Sequence, residues 1–94
     1  MLFVIRGTIH RHLSGQDRLN MFGRRAEWKY PKNVKVVGEY WTATAPHLNA
    51  IVDTDQYEPI MSMATEWGDL MEFNVAPAIA PEDGLDVAKK LRRK

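Results

Sequence analysis

VKVVGEYWTATAPHLNAIVD, residues 34–53, is the stretch that decides the fold of this chain. Both of its ends are rich in β-branched and aromatic residues, which favour strands, and Thr44-Ala45-Pro46 interrupts the run between them. We therefore predict strand two at Val34–Thr42 and strand three at His47–Asp53. The gap between the two runs is short enough for them to form a hairpin.

Upstream of this hairpin, the sequence indicates a strand followed by a helix. Leu2–Ile9 is a short apolar and β-branched run, which predicts strand one. Ser14 is followed three residues later by Asp17, which is the spacing of a capping box, and Leu19, Phe22 and Ala26 follow at helical intervals. We therefore predict helix one at residues 15–27.

Downstream of the hairpin, the same order repeats. Thr54 or Asp55 can cap a second helix, whose apolar stripe contains Tyr57, Ile60, Met61, Ala64 and Trp67. We expect Trp67 and Tyr57 to be core residues of this stripe. Gly68-Asp69 ends the helix, and Leu70–Ile79 is predicted to be strand four.

The predicted order is β-α-β-β-α-β, and right-handed crossovers then place both helices on one face of the sheet. The fold class is α+β and ferredoxin-like, with a four-stranded antiparallel sheet in the order 4-1-3-2. We expect residues 1–80 to form this one domain. Residues 81–94 form a basic tail or short helix, with a weak apolar stripe at Leu85, Ala88 and Leu91.

Composition excludes several classes of protein. The 45% hydrophobic and 27% charged residues are typical of a globular domain and not of a disordered or collagen-like chain. The absence of cysteine excludes disulfides, thiol nucleophiles and cysteine-based zinc sites. No apolar run approaches the length of a membrane helix, and we expect a cytoplasmic protein without a membrane partner.

Charge is segregated along the chain. Residues 1–47 hold eight Lys and Arg against three acids, residues 48–81 hold six acids and no base, and residues 82–94 hold five bases against three acids. We expect these blocks to neutralise one another within a fold or between two copies. We do not expect a nucleic-acid partner, because strand three lacks the aromatic residues on which RNA-recognition modules stack bases.

Alternation along the strands predicts which side chains lie on the sheet face that the helices leave open. The helix-covered face is expected to contain Val36, Gly38 and Tyr40 from strand two. The open face is expected to combine polar residues with apolar ones, and its members are Arg6, Thr8, His10, Glu39, Trp41, Asn49, Glu72 and Asn74 amid Leu2, Val4, Val37, Ile51 and Leu70. So much apolar area predicts that a second subunit or a ligand covers this face.

The run Trp67-Gly68-Asp69-Leu70-Met71-Glu72-Phe73-Asn74-Val75-Ala76-Pro77, together with Met1–Ile5 and the pair Gly38 and Trp41, resembles a family of short prokaryotic proteins, domain of unknown function 3303. That family is similar to the dimeric α/β barrels, in which two ferredoxin-like sheets pair face to face around small cavities. The group includes cofactor-independent monooxygenases, haem-degrading enzymes, lactone isomerases and small-molecule sensors. The resemblance therefore implies a homodimer and leaves the chemistry open, with no catalytic residue to carry over.

Two functions follow for the open face. One is a homodimer that binds a small molecule in a sheet-lined cavity, with ligand contacts from Arg6, His10, Trp41, Asn49, Glu72 and Asn74 and a dimer interface at Val4, Val37, Ile51 and Leu70. The other is a cofactor-independent enzyme at the same site, with His10 or Glu72 as general base and Arg6 or an Asn amide stabilising the anion. A purely structural dimer is a third alternative.

The remaining motifs favour structural roles. His10 and His12 could form a three-nitrogen metal site with His47, but no acidic residue stands at ligand spacing, so we expect neither a metal nor a cofactor. Arg6 is expected to form a cross-strand or intersubunit ion pair with Glu72. No glycine-rich phosphate loop or nucleophile elbow is present in the sequence.

Overall fold

The computed structural model describes residues 1–93. The elements are β1 (Leu2–Ile9), α1 (Gly15–Glu27), β2 (Lys35–Trp41), β3 (Leu48–Asp53), α2 (Glu58–Glu66), β4 (Met71–Ala78) and α3 (Pro81–Arg92). The four strands form one antiparallel sheet in the order β2-β3-β1-β4, which is the predicted order 4-1-3-2. The ferredoxin-like α+β prediction is therefore confirmed.

Helix α1 begins with the predicted capping box. The Ser14 hydroxyl accepts a hydrogen bond from the Asp17 backbone N–H, and the Asp17 carboxylate accepts one from the Ser14 N–H, each at 3.0 Å. The residue that faces the sheet is Met21, which is buried, whereas Leu19 and Phe22 are exposed. The apolar spacing therefore predicted the helix correctly but did not identify the side chain that enters the core.

Helix α2 lacks the predicted side-chain cap. It begins at Glu58 after Tyr57, and no side chain caps it. Thr54 is buried before the helix, where its hydroxyl accepts a hydrogen bond from the Gln56 N–H. Ile60, Met63 and Trp67 are buried, whereas Met61 is exposed and Tyr57 is half-exposed with its ring 5.7 Å from that of Phe3. Trp67 is thus a core residue as predicted, whereas the core position predicted for Tyr57 is wrong, because about half of its surface is exposed.

The hydrophobic core is divided into two clusters. One lies under α2 and contains Phe3, Ile5, Val34, Ala50, Val52, Ile60 and Met63. The other lies under α1 and contains Ile9, Met21, Trp67 and Met71. Trp28 and Phe73 are partly buried and pack against both. These two side chains therefore connect the two clusters.

A β-bulge in β2 changes the faces predicted for that strand. Val36 pairs with Val52, but the next pair is Gly38 with Ile51, so Val37 is the additional residue. Because one extra residue reverses the alternation, Glu39 and Trp41 face the helices, and Gly38 and Tyr40 lie on the open face. The prediction that Glu39 and Trp41 lie on the open face is therefore wrong.

Helix α3 projects from the rest of the chain. It contains no buried residue, and the described chain measures 55 × 28 × 18 Å. An eight-residue strand spans about 27 Å and a twelve-residue helix about 18 Å, so the long dimension fits a helix that extends the sheet instead of folding back on it. Within residues 1–93, no helix is long and apolar enough to cross a membrane.

Candidate functional site

A pocket of about 290 Å³ lies between the helices and the sheet. Side chains of both core clusters line it, with Ile5, Ala50 and Met63 from one and Ile9, Met21, Trp67 and Met71 from the other. Its size is close to the lower end of the range for small-molecule sites. The pocket belongs to a single chain, so it differs from the sheet-lined cavity between two subunits that the sequence led us to expect.

The polar centre of this pocket is Glu39. The Arg25 guanidinium donates two hydrogen bonds to its carboxylate, from Nε to Oε2 at 3.0 Å and from the second terminal nitrogen to Oε1 at 2.8 Å. The Tyr30 hydroxyl donates to Oε1 at 2.5 Å, and the Trp41 indole N–H donates to Oε2 at 2.7 Å. Each carboxylate oxygen therefore accepts two hydrogen bonds, and the ion pair with Arg25 leaves no net charge.

These contacts fix the protonation of the cluster. Desolvation alone would raise the pKa of Glu39, but hydrogen bonds from Arg25, Tyr30 and Trp41 outweigh it and hold that pKa below its usual range. Burial, reinforced by the hydrogen bond to Glu39, raises the pKa of Tyr30. The carboxylate is thus ionised and the phenol neutral at physiological pH. A carboxylate held in this way is a poor general base.

Two aromatic side chains stand at the solvent side of the pocket. Phe22 of α1 and Trp41 of β2 stack with their ring centroids 4.9 Å apart, and both line the pocket. The Trp41 ring is fixed by its hydrogen bond to Glu39, whereas Phe22 is 52% exposed. Phe22 is therefore the most exposed aromatic residue of the pocket wall.

His47 supplies another polar group to the pocket wall. Its ring Nδ1 atom accepts a hydrogen bond from the Ile9 backbone N–H at 3.1 Å, and the backbone N–H of His47 donates to the Gly7 carbonyl at 2.9 Å. Because Nδ1 is an acceptor, the neutral ring carries its proton on Nε2. His47 therefore closes the end of the β1–β3 ladder and can offer a ring N–H as a donor.

On the open face, the structure aligns three of the predicted site residues. Arg6 stands directly opposite Asn49 on one side and Asn74 on the other. Glu72 stands opposite Thr8, which is two residues after Arg6 in β1. The four salt bridges found in residues 1–93 do not include an Arg6–Glu72 pair, so the predicted pairing of these two within one chain is wrong. The register is the reason, since it places Asn74, not Glu72, across from Arg6.

The remaining predicted site residues do not meet in one place. His10 lies beyond the end of β1, where its Nε2 lies 2.8 Å from the Gly68 carbonyl. Trp41 lines the pocket on the other side of the sheet. Within the chain, Arg6, His10, Trp41, Asn49, Glu72 and Asn74 therefore do not converge on a common cavity, although Arg6, Asn49, Glu72 and Asn74 share the open face.

The predicted interface residues are divided in the same way. Val4 and Ile51 are direct neighbours on the open face, and the bulge residue Val37 lies beside them with 57% of its surface exposed. Leu70 instead packs against the α1-side core cluster, so its predicted place on the open face is wrong. It precedes β4, where the alternation of that strand does not yet apply.

Sequence reasoning missed the residues that form the polar centre of the pocket. Arg25 and Tyr30 are distant from Glu39 in the chain, and the bulge that turns Glu39 toward them has no unambiguous sequence signal. Gly38 is the available hint, because glycine within a strand often marks a bulge. As for metals, the described part of the chain contains no group of three or more His, Cys, Asp or Glu that could hold an ion.

Comparison with known proteins identifies one family. The profile of the family described as Domain of unknown function (DUF3303) matches residues 1–92. No curated protein and no solved structure matches the chain.

Proposed function

The chain belongs to the DUF3303 family, and we propose that it binds a small, uncharged, largely aromatic molecule in the pocket between its helices and its sheet. The observation that carries this proposal is an open pocket of about 290 Å³ that side chains of both core clusters line. A ligand that fills this pocket removes apolar side-chain surface from water, which is the main favourable contribution to binding at such a site.

The chemistry of the lining supports an aromatic ligand. Trp28, Trp67 and Phe73 form much of the wall, with Trp28 and Trp67 edge to face at 5.7 Å. Aromatic rings favour such edge and offset contacts with one another. A flat, apolar ring system therefore matches the surfaces that the pocket offers.

The polar groups of the pocket support an uncharged ligand with one acceptor. Arg25 and Glu39 neutralise each other, so a net charge on the ligand would enter an apolar site without a counter-ion. Arg25 uses three of its five N–H groups, two on Glu39 and one on the Trp28 carbonyl. The other two N–H groups remain for a hydroxyl or carbonyl oxygen of the ligand.

A titration with 1-naphthol, a neutral bicyclic phenol, tests the proposal. We expect saturable chemical-shift changes at the methyl groups of Ile5, Ile9 and Met21 in NMR spectra, and no changes at Val4 and Ile51 on the open face. Absence of saturable shifts at the pocket methyl groups up to the solubility limit would count against the pocket as a binding site.

A matched pair of substitutions provides the control. Ala50→Leu adds bulk inside the pocket, whereas Ala76→Leu adds the same bulk on the open face. We expect the first to weaken naphthol binding at least tenfold and the second to leave it unchanged. Equal effects of the two variants would place the ligand elsewhere.

We also propose that copies of the chain associate through the open sheet face, because Leu2, Val4, Val37 and Ile51 present apolar surface there. Val37→Glu places a charge on that face, and Leu19→Glu is the matched control on exposed helix surface. By sedimentation at low micromolar concentration, we expect Val37→Glu to halve the mass of the assembly and Leu19→Glu to leave it unchanged. An unchanged mass for Val37→Glu would contradict association through this face.

The geometry favours binding over catalysis. His10 and Glu72, the residues considered as general bases, do not line the pocket, and Glu39 within it is saturated by donors. Small-molecule binding therefore accounts for the site without requiring a reaction.

A further inference from the structure

The floor of the pocket runs along the strands of the sheet. Three successive rows of cross-strand neighbours contribute side chains to it, and these are Ile5, Ala50 and Glu39 in the first row, Leu48, Phe73 and Trp41 in the second, and Ile9 and Met71 in the third. Ile5 and Ile9 are four residues apart in β1, so roughly 13 Å separates the first row from the third. The pocket is therefore elongated in the direction of the strands.

This elongated floor has a polar group at each end. The ion pair of Arg25 and Glu39 belongs to the first row, because Glu39 stands opposite Ala50 there. His47 belongs to the third row, because its ring is bonded to the backbone N–H of Ile9. A ligand that lies along the floor thus meets the guanidinium of Arg25 at one end and the imidazole of His47 at the other.

The His47 ring has one nitrogen left for a ligand. Nδ1 accepts the hydrogen bond from Ile9, so the neutral ring carries its proton on Nε2. In residues 1–93 the ring forms no other hydrogen bond, and no buried side-chain nitrogen or oxygen in this part of the chain lacks a partner. Nε2 is therefore accessible, and its N–H can donate to an oxygen atom of a bound molecule.

Both donors are held in place within the chain. The guanidinium of Arg25 is fixed by its hydrogen bonds to Glu39 and to the Trp28 carbonyl, and the ring of His47 is fixed by its hydrogen bond from Ile9. Groups that are already ordered in the free protein lose little conformational entropy when a ligand binds. The distance between the two donors can therefore select ligands by their length.

We propose that His47 donates a hydrogen bond to the ligand at the end of the pocket remote from Arg25, and that the ligand is an elongated, uncharged aromatic ring system with an oxygen acceptor at each end. This role of His47 rests on the proposed function, since it concerns the same pocket. It adds a second acceptor to the one that Arg25 binds.

The spacing of the rows sets the length of such a ligand. Each hydrogen bond takes up about 3 Å, so two ligand oxygens about 7 Å apart span the distance between the two ends of the floor. A naphthalene ring with a hydroxyl group at each end of its long axis has this length, whereas a single benzene ring with two opposite hydroxyl groups is shorter. We therefore expect a bicyclic ligand.

Two compounds that differ by one hydroxyl group test the role of His47. 2-Naphthol carries an oxygen at one end of its long axis, and 2,6-dihydroxynaphthalene carries an oxygen at each end. By isothermal titration calorimetry, we expect the wild type to bind the diol about tenfold more tightly, because the diol forms one further hydrogen bond. This ratio exceeds the roughly twofold statistical advantage of a symmetric ligand. A ratio of two or less overturns the proposal.

His47→Asn separates ligand binding from the structural role of the ring. The side-chain oxygen of asparagine can take the place of Nδ1 and accept the hydrogen bond from Ile9, but asparagine has no donor at the position of Nε2. We expect this variant to keep its affinity for 2-naphthol and to lose the preference for the diol. His12→Asn, the same substitution at an exposed histidine outside the pocket, is the matched control and should keep the tenfold preference.

Nitrogen-15 NMR of the His47 ring provides a readout that needs no variant, so it decides the matter even if His47→Asn does not fold. We expect Nδ1 of the free protein to be unprotonated and Nε2 to be protonated, and we expect the diol to shift the resonance of the Nε2 proton. A ring that carries its proton on Nδ1, or an Nε2 resonance that a saturating diol concentration leaves unchanged, overturns the role of His47.

Failure of this role and failure of the proposed function give different results. Absence of saturable binding for both compounds overturns the pocket as a binding site, and the role of His47 with it. Binding of both compounds with equal affinity overturns the role of His47 alone. A diol preference that persists in His47→Asn also overturns that role, since another group then recognises the second oxygen.

Discussion

At the scale of single residues, Glu39 is the side chain on which the pocket depends. Its side chain is only 13% exposed, and its carboxylate accepts four hydrogen bonds and pairs with the charge of Arg25. A buried carboxylate without such partners would be costly, and removing it leaves several donors without an acceptor. The cluster therefore stabilises the fold only while all of its members are present.

Glu39→Gln tests this dependence. The amide retains one oxygen but turns an NH₂ group toward donors, so we expect a loss of about 2 kcal/mol of unfolding free energy, discounted for the partial exposure of Arg25. Urea denaturation measures the loss. Glu72→Gln on the exposed open face is the control and should change stability by less than about 0.5 kcal/mol. Equal stabilities for the two variants would show that the cluster contributes nothing.

Glu39→Gln should also change the way in which the free energy of unfolding depends on pH. The folded-state pKa of Glu39 is lowered, so its stabilisation is complete above the ordinary glutamate value of about 4.3 and is lost as the pH falls through the lower folded-state value. The difference in stability between wild type and Glu39→Gln should therefore shrink in this acidic range. A difference that stays constant from neutral pH to pH 3 would contradict the lowered pKa.

Gly7 of β1 lies where the side chains of Met71 and Phe73 leave no room for a Cβ atom. A Cβ atom at this position would lie 2.9 Å from the Met71 sulfur and 3.1 Å from a ring carbon of Phe73. Since Met71 is buried, we expect Gly7→Ala to cost about 1 to 3 kcal/mol through overpacking. Gly23→Ala, at an open helical site, should be neutral or stabilising by about 0.5 to 1 kcal/mol. Thermal melts of the two variants provide the comparison. A melting temperature of Gly7→Ala equal to that of the wild type would contradict overpacking at this position.

At the scale of elements, the bulge at Val37 decides which side chains reach the pocket. Deleting Val37 restores regular alternation in β2, so either Val36 or the pair Glu39 and Trp41 must leave the helix-covered side. We expect this deletion to cost more than about 3 kcal/mol or to prevent folding. Val37→Thr keeps the bulge and should cost less than about 1 kcal/mol. A stable, naphthol-binding deletion variant would show that the register tolerates the change.

Elements and their order were predictable from the sequence because capping, turns and β-branched runs are local signals. The capping box at Ser14 and the interruption at Pro46 are examples, and both stand where the sequence placed them. The polar centre of the pocket was not predictable, since it depends on one extra residue in β2 and on long-range partners of Glu39. The assignment of Glu39 and Trp41 to the open face assumed strict alternation, and the bulge overrides it.

At the scale of the whole molecule, the basic block of residues 1–47 and the acidic block of residues 48–81 form ion pairs with each other. Arg24 of the basic first block pairs with Asp69 of the acidic second block at 3.0 Å, and the amino terminus pairs with Asp53 at 2.8 Å. Arg24 also donates to the Glu66 carbonyl, which ties the end of α1 to the end of α2. Helices α1 and α2, which both contribute residues to the pocket wall, are therefore linked to each other at one end.

Because the pocket lies within one chain, ligand binding should not depend on association. At a free 1-naphthol concentration one hundred times its Kd, we expect the unfolding free energy to rise by about 2.7 kcal/mol in the wild type. The same rise is expected in Val37→Glu, whose association is impaired. Denaturation with and without naphthol measures both increments, and a ligand effect lost in Val37→Glu would indicate a cavity formed by two chains.

All three tryptophans of the chain, Trp28, Trp41 and Trp67, line the pocket. The molecule therefore carries a built-in optical probe, since its indole emission originates only from the walls of this one site. Trp67 is buried, so its emission maximum should lie at a shorter wavelength than that of Trp41, which is 38% exposed. A non-fluorescent ring compound that displaces water from the pocket should shift the red part of the spectrum, so that candidate ligands can be screened on the unlabelled protein.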